Sequence, residues 1–216
     1  MCLTTPQYRQ PWEIYVNMEG ERFVCEDTDS VDARERALLE QTNMQFWIVY
    51  DQAIHEQAPP LSQIWSREKF TASFGTHPNF FTADSIHALA AKSGVAPEAL
   101  ERTVRAFNDG VRTGQDPLGR RHHPLPIAKP PFYAVQNHGT SVKTYAGLAV
   151  DTQLRVVDRA GRPIGNLFAA GEVIGGGVLT GNSFCGGMSV TPALTFGRLL
   201  GERLLQWRRN TAEAAE

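Results

Sequence analysis

The chain has 216 residues, of which 42% are hydrophobic and 20% are charged, a composition typical of a globular protein with a sizeable core. Its formal net charge of −2 gives no basic patch for a phosphate backbone, so we expect no nucleic-acid partner. The sequence has no uninterrupted run of the roughly 18 to 20 apolar residues needed to cross a bilayer, and residues 1–6 do not resemble a signal peptide. We therefore expect no membrane partner and a cytoplasmic location.

The cysteines and histidines give no sign of a metal or a disulfide framework. Cys2, Cys25 and Cys185 are odd in number and widely spaced, which indicates unpaired thiols. His122 and His123 are adjacent and cannot share one helix face, as an i, i+4 ligand pair would. The sequence predicts no metal site.

The first 80 residues begin with extended structure. Residues 12–17 alternate like a strand, and a turn at Gly20 leads to a second extended stretch, a pattern that predicts a hairpin. Residues 32–45 predict a helix, and the apolar run 46–50 predicts a buried strand. Residues 55–80, rich in Pro, Gln and Ser, predict irregular surface structure.

Two helices are predicted next. Thr82 or Asp84 is expected to cap the first, which stops at Gly94. The second covers residues 97–110, with Pro in its first turn and an apolar stripe along one face. Residues 113–131 are interrupted by Gly and Pro and predict a loop.

The last third predicts three short strands, at residues 147–151, 154–157 and 167–170. A glycine-rich stretch at residues 175–181 follows, and then a helix that Ser189 or Thr191 would cap and that runs to about Trp207. The glycines match neither GxxxxGK[ST] nor GxGxxG, so alone they are a weak signal. Together, however, a strand, a glycine loop and a helix start favour an anionic group at the positive end of the helix dipole.

These motifs resemble the closing section of FAD-dependent oxidoreductases of the fumarate reductase/succinate dehydrogenase flavoprotein superfamily. The resemblance is carried by three segments near the end, Leu167–Glu172, Gly186–Gly187 and Thr195–Gly201. It continues upstream through Pro131–Ala134 and Gly147–Asp151 in the expected order, so it covers nearly the whole chain.

The resemblance implies two domains. Residues 1–142 would form an α+β capping (clamp) domain. Residues 143–216 would form the C-terminal strand-and-helix portion of an α/β, Rossmann-like FAD-binding domain. The N-terminal part of that domain would be absent, because nothing before residue 12 resembles the GxGxxG turn that cradles the FAD pyrophosphate.

The resemblance also implies which residues bind FAD. Glu172, next to Gly171, would accept hydrogen bonds from ribose hydroxyls. Ser189 and Val190, after Gly187, would face the flavin ring, where their backbone N–H groups would stabilise negative charge on the reduced ring. The alternative is that Glu172 is a surface acid and the glycines only serve packing.

On the substrate side the chain departs from the superfamily's pattern. Arg9 matches an arginine of the proton relay, although Pro6 stands where its acid would be. Lys143 replaces a histidine that binds a substrate carboxylate, and Phe184 stands near the place of an arginine that clamps the other one. Fumarate and succinate are therefore not the predicted substrates.

Lys143, Tyr145 and Tyr133 remain as groups that would donate a proton or polarise a carbonyl, with a solvated lysine and a packing tyrosine as alternatives. The catalytic residues predicted from the sequence are Arg9, Lys143 and Tyr145. Arg120 and Arg121 would hold the cap loop or an acidic substrate group, unless they lie in a solvated loop, which the sequence favours.

The implied activity is hydride transfer between flavin and an activated C–C bond of a small-molecule substrate. Three interpretations stay open: part of a longer enzyme, one half of a two-chain enzyme, or a non-catalytic protein that keeps the fold without FAD. The expected partners are accordingly an N-terminal FAD-binding half or a second copy of the chain, joined through an exposed apolar surface.

Overall fold

The computed structural model describes residues 9–139, 144–177 and 187–213, with side chains up to residue 206. The chain divides into two compact units, residues 1–139 and 140–216. The elements of the first unit are β1 (Ile14–Val16), α1 (Val31–Leu39), a 3₁₀ turn (Thr42–Met44), β2 (Gln45–Asp51), α2 (Gln52–Gln57), α3 (Arg67–Ala72), β3 (Phe80–Ala83), α4 (Ile86–Ser93), α5 (Pro97–Thr113) and β4 (Phe132–His138). Those of the second are β5 (Arg155–Val157), β6 (Pro163–Phe168), a 3₁₀ turn (Gly171–Ile174) and α6 (Val190–Glu213).

A four-stranded antiparallel sheet with the order β1-β2-β4-β3 forms the centre of the first unit. Its central strand β2 has the sequence QFWIVYD, rich in the aromatic and β-branched residues that suit a pleated surface. Ile48 pairs with Tyr15 on one side and with Val135 on the other, and all three side chains are buried. The buried strand predicted at residues 46–50 is thus confirmed.

Helices α4 and α5 complete this core. The apolar stripe of α5, formed by Leu100, Val104 and Phe107, is buried as predicted. Gly94, in the left-handed conformation, ends α4 as predicted, and the hydroxyl of Ser85 caps its start by accepting from Ala88 N.

The helix boundaries correct three predictions. Neither Thr82 nor Asp84 caps α4, because residues 80–83 are drawn into β3 by pairing with β4. Helix α1 ends at Leu39, and a 3₁₀ turn replaces the rest of the predicted helix. Helix α5 continues three residues beyond the predicted end, to Thr113, because Gly110 does not break it and Gly114 does.

The segment from residue 55 to residue 80 is not irregular surface structure, as the sequence predicted. It contains α3 and contributes the buried side chains of Leu61, Phe70 and Phe80 to the core. Phe70 and Phe80 pack edge to face, with ring centroids 5.0 Å apart. Burial of these aromatics overrides the polar composition of the segment.

The second unit is built around the antiparallel hairpin β5–β6. Its small core contains Val156, Ala169 and Ile174, with Phe196 of α6 packed against them. The predicted strand at residues 147–151 reduces to a single bridge between Val150 and Val156. No helix among the described residues is both long and apolar enough to cross a membrane.

The hairpin predicted near Gly20 also reduces to one bridge, between Val16 and Arg22, but its turn is fixed by a close contact. Gly20 has φ +80°, and a Cβ there would lie 2.8 Å from the backbone N of Leu100. Thr103 Oγ1 donates to the Gly20 carbonyl at 2.6 Å. The turn therefore rests directly on the first turns of α5.

We expect Gly20→Ala to destabilise the protein more than Gly94→Ala. Both glycines have positive φ, but a Cβ at Gly94 meets nothing within 4 Å. Gly94→Ala should cost about 1–2 kcal/mol for the left-handed backbone, and Gly20→Ala about 1–3 kcal/mol more for the steric overlap. Urea unfolding monitored by circular dichroism measures both, and equal losses would contradict the proposed contact.

Candidate functional site

A turn and a helix start lie side by side in the second unit. Strand β6 leads through Ala169 and Ala170 into the 3₁₀ turn, which Gly171 opens with φ +79°. A Cβ on Gly171 would lie 3.6 Å from the Cβ of Ala193, in the first turn of α6. The structure thus brings the predicted Gly171–Glu172 pair next to the predicted helix start.

The helix start is formed by the other predicted cofactor residues. Gly187 has φ +85° and its carbonyl accepts from Thr191 N at 2.9 Å, so the chain turns into α6 here. Ser189 and Val190 follow and are exposed, Val190 to 65%. The first N–H groups of a helix have no partner within the helix, and together with the dipole they favour a negatively charged group.

Glu172 is exposed in the turn beside this helix start. Its carbonyl accepts from Gly175 N at 2.9 Å, which closes the turn. Among the described residues, none forms an ion pair with its carboxylate. A carboxylate in this position can accept two hydrogen bonds from a diol.

Glycines let a second segment of backbone approach the turn. A Cβ on Gly147 would lie 2.2 Å from the backbone N of Gly175, so no side chain fits there. Leu148 N donates to the Val173 carbonyl at 2.9 Å, and Gly177 N donates to the Tyr145 carbonyl at 3.0 Å. The sequence predicted a glycine loop here, but it did not reveal this backbone contact.

The predicted catalytic residues fall in different parts of the chain. Tyr145 lies against Gly175 and Gly177 in the second unit, and 44% of its surface is exposed. Lys143 is outside the described residues, as is Phe184. Arg9 belongs to the first unit, where its guanidinium pairs with Glu13 at 2.9 Å.

A buried ion network in the first unit was missed by the sequence analysis. Arg22 binds Glu26 through two hydrogen bonds of 2.7 and 2.6 Å, and it also pairs with Asp116. Burial alone would lower the pKa of Arg22, but the hydrogen bonds and charges of these two carboxylates raise it above its ordinary value. No local pattern could have shown this, because 94 residues separate Arg22 from Asp116.

Arg120 belongs to the same network and corrects the prediction of a solvated loop. It is only 2% exposed and lies 3.4 Å from Glu26. Its side chain donates to the carbonyls of Pro11, Glu13 and His122 at 2.6, 2.6 and 2.7 Å. Arg120 therefore holds the loop in place, which was the less favoured of the two interpretations.

The cysteine described by the structure, Cys25, has no disulfide partner. Burial raises the pKa of its thiol to about 11, and the hydrogen bond to Asp27 and the negative charge of that residue act in the same direction. The thiol therefore stays protonated at neutral pH and is not an activated nucleophile. Within the described residues, no group of three or more His, Cys, Asp or Glu side chains is placed to hold a metal ion.

Comparison with known proteins gives consistent matches. A family described as FAD binding domain matches residues 1–189. A probable fumarate reductase of Shewanella frigidimarina is 31% identical over 190 residues, which cover 88% of this chain and 30% of the relative. NADH:acrylate oxidoreductase of Vibrio harveyi is 32% identical over 190 residues, with coverages of 88% and 18%.

Among solved structures, the open conformation of a flavocytochrome c3 fumarate reductase matches with a TM-score of 0.66 and 30% identity. The match covers 92% of this chain and 33% of that protein. The chain therefore spans about a third or less of the length of these relatives.

We expect Asp116→Asn to weaken folding in a pH-dependent way. Burial alone would raise the pKa of Asp116, but the hydrogen bond and charge of Arg22 lower it. A lowered pKa in the folded state contributes stability that is fully present above the unfolded value of about 3.9 and is lost as the pH falls through the folded value. At pH 7 the substitution should cost roughly 1.5–3 kcal/mol.

The measurement is the free energy of unfolding in urea at pH 7 and at pH 3. Between pH 7 and pH 3 the free energy of unfolding should fall more for the wild type than for Asp116→Asn. Asp109→Asn is the control, because Asp109 is 70% exposed in its ion pair with Arg112. An identical pH dependence in all three proteins would show that Asp116 does not contribute.

Proposed function

Because this chain belongs to the FAD binding domain family of the fumarate reductase/succinate dehydrogenase flavoproteins, we propose that it forms part of an FAD-dependent oxidoreductase. When bound, FAD would supply hydride transfer to or from an activated C–C bond of a small organic substrate. The observation that supports this best is the adjacency of the Gly171–Glu172 turn to the first turn of α6.

The residues present fit the cofactor. Glu172 offers an exposed carboxylate for ribose hydroxyls, and the N–H groups at Ser189 and Val190 offer positive potential for the flavin ring. Gly171 and Gly187 have positive φ, which allows the chain to turn sharply at the 3₁₀ turn and at the start of α6. We assign cofactor binding to these five residues.

Three residues are proposed to serve the substrate. Tyr145 lies beside the glycine loop with a partly exposed ring, so its hydroxyl is a candidate proton donor. Lys143, two residues before it, would bind a carboxylate or carbonyl oxygen as a point charge. Arg9, held by Glu13, would take part in proton delivery.

The relatives and two replaced positions support a proposal for the substrate class. The two relatives described above are named for fumarate and for acrylate, both of which carry a C=C bond next to a carboxylate. With Phe184 near the place of the arginine, this chain lacks the planar guanidinium fork that binds a carboxylate in a bidentate way, and Lys143 stands in place of the histidine that would bind the other carboxylate. We therefore propose an unsaturated substrate other than fumarate.

We assign the activity to a longer or two-chain enzyme, because the chain spans about a third of its relatives. In that enzyme, residues 1–142 would be the capping domain and residues 143–216 the C-terminal part of the FAD-binding domain. The polypeptide that completes the flavin site is its proposed partner.

The surface of α6 suits such a partner. Val190, Leu194 and Leu205 are exposed to 65%, 70% and 61%, and their spacing places them on one face of the helix. Gly197 and Gly201 lie on the same face, and a Cβ at either would meet nothing within 4 Å. A flat apolar face with two glycines allows close packing of another element, so we propose that the polypeptide completing the FAD domain covers it.

The function is tested in a chimera in which this chain replaces the matching third of flavocytochrome c3 fumarate reductase. The chimera should retain flavin absorbance after free FAD is removed, and it should reduce an unsaturated monocarboxylate such as acrylate. Glu172→Gln should weaken FAD binding about tenfold or more, because a charged acceptor is lost. Glu202→Gln, an exposed acid of α6 paired with Arg198, is the control.

A folded but colourless chimera would contradict the proposal and favour the non-catalytic alternative. A coloured chimera in which Glu172→Gln and Glu202→Gln bind FAD equally well would leave the family assignment intact. It would, however, remove Glu172 from the site.

The partner surface is tested by Leu194→Lys in the same chimera. Leu39→Lys is the matched control, because Leu39 is 68% exposed but lies on α1 in the first unit. Leu194→Lys should lower the thermal unfolding midpoint and weaken FAD retention, because it places a charge in a buried interface. If both variants match the unsubstituted chimera, the α6 face does not contact the rest of the FAD domain.

A further inference from the structure

A small cavity lies in the first unit between the segment that begins at Arg9 and the region of α2. Its volume is about 30 Å³, and its polar lining includes Arg9, Glu13 and Tyr50. A water molecule needs roughly 10–15 Å³ of such space, so the cavity has room for about two waters and not for a substrate or cofactor.

Three buried polar atoms belong to these lining residues. Arg9 Nε, Glu13 Oε1 and the Tyr50 hydroxyl have no hydrogen-bond partner among the described residues. The Arg9–Glu13 ion pair uses different atoms, Nη2 and Oε2. Glu13 and Tyr50 are 1% and 2% exposed, so bulk solvent does not reach them.

The charges and hydrogen-bonding groups decide the class of ligand. Arg9 and Glu13 pair with each other. Arg67, the other arginine of the lining, is exposed and donates to the carbonyls of His55 and Ala58, so the buried part of the cavity holds no unpaired charge that would favour an isolated cation or anion. Burial and the charge of Glu13 hold the pKa of Tyr50 well above its ordinary value, so its hydroxyl stays neutral and can both donate and accept. Arg9 Nε is a hydrogen-bond donor and Glu13 Oε1 is an acceptor. These groups match a neutral molecule that can both donate and accept hydrogen bonds.

We propose that this cavity is a built hydration site, in which about two water molecules bridge Arg9 Nε, Glu13 Oε1 and the Tyr50 hydroxyl. The waters would connect the segment of residues 9–13 to the end of β2 and hold the Arg9 side chain in position. This inference does not depend on the proposed flavin chemistry, because it concerns groups that lie within the first unit.

The test compares Tyr50→Phe with Tyr15→Phe in the full chain. The Tyr15 hydroxyl is also buried and without a partner among the described residues, but Tyr15 does not line this cavity. The number of long-lived internal waters is measured by ¹⁷O magnetic relaxation dispersion, and the unfolding midpoint by calorimetry.

Tyr50→Phe should reduce the number of long-lived waters and lower the midpoint by about 2–4 °C, because Arg9 and Glu13 lose their bridging partners. Tyr15→Phe should leave the water count unchanged and the midpoint equal or higher. In a dry cavity, removing the unpaired Tyr50 hydroxyl would stabilise the protein instead. An unchanged water count in Tyr50→Phe, or a midpoint not below that of Tyr15→Phe, overturns the proposal.

Discussion

A guanidinium inside a protein needs a partner for each of its N–H groups, and this requirement organises the first unit. Arg120 satisfies it with three backbone carbonyls and with Glu26. Because the carbonyls belong to Pro11, Glu13 and His122, one side chain joins the start of β1 to the long loop before β4. Removing that charge would leave several buried acceptors without a donor, so these segments depend on one another.

The two units differ in how much apolar surface they bury. The first has a continuous core around β2 and β4, whereas the core of the second contains Val156, Ala169 and Ile174. The second unit nevertheless carries all the proposed cofactor residues. Backbone hydrogen bonds hold its turn, and several apolar side chains of α6 are exposed.

Local patterns predicted the fold where local forces decide it. The apolar run of β2 and the stripe of α5 were predictable because periodicity and burial agree. The Gly171–Glu172 turn and the helix start after it were predicted on a different basis, from the order of the motifs and the family resemblance they carry. The functional roles of the site residues stay predictions.

Distant contacts were not predictable. Ser85 caps α4, and not Thr82 or Asp84, because residues 80–83 pair with β4 as strand β3. The paired residues of β3 and β4 are more than 45 positions apart in sequence. The polar segment after residue 55 supplies Phe70 and Phe80 to the core, which composition alone conceals. Arg120 is buried because it binds Glu26 and the carbonyls of Pro11 and Glu13, which are far from it in sequence. A short motif around Arg120 therefore does not indicate its burial.

The contact between Gly147 and Gly175 has a consequence for the substitutions that this turn tolerates. The two segments meet here through backbone atoms, so neither Gly147 nor Gly175 has room for a Cβ, whereas Ile174 of the same turn packs its side chain into the core of the unit. Tyr145 takes part in this contact through its main chain, because its carbonyl accepts from Gly177 N. A substitution at either glycine would therefore push the two segments apart, whereas the carbonyl that position 145 contributes is common to every amino acid.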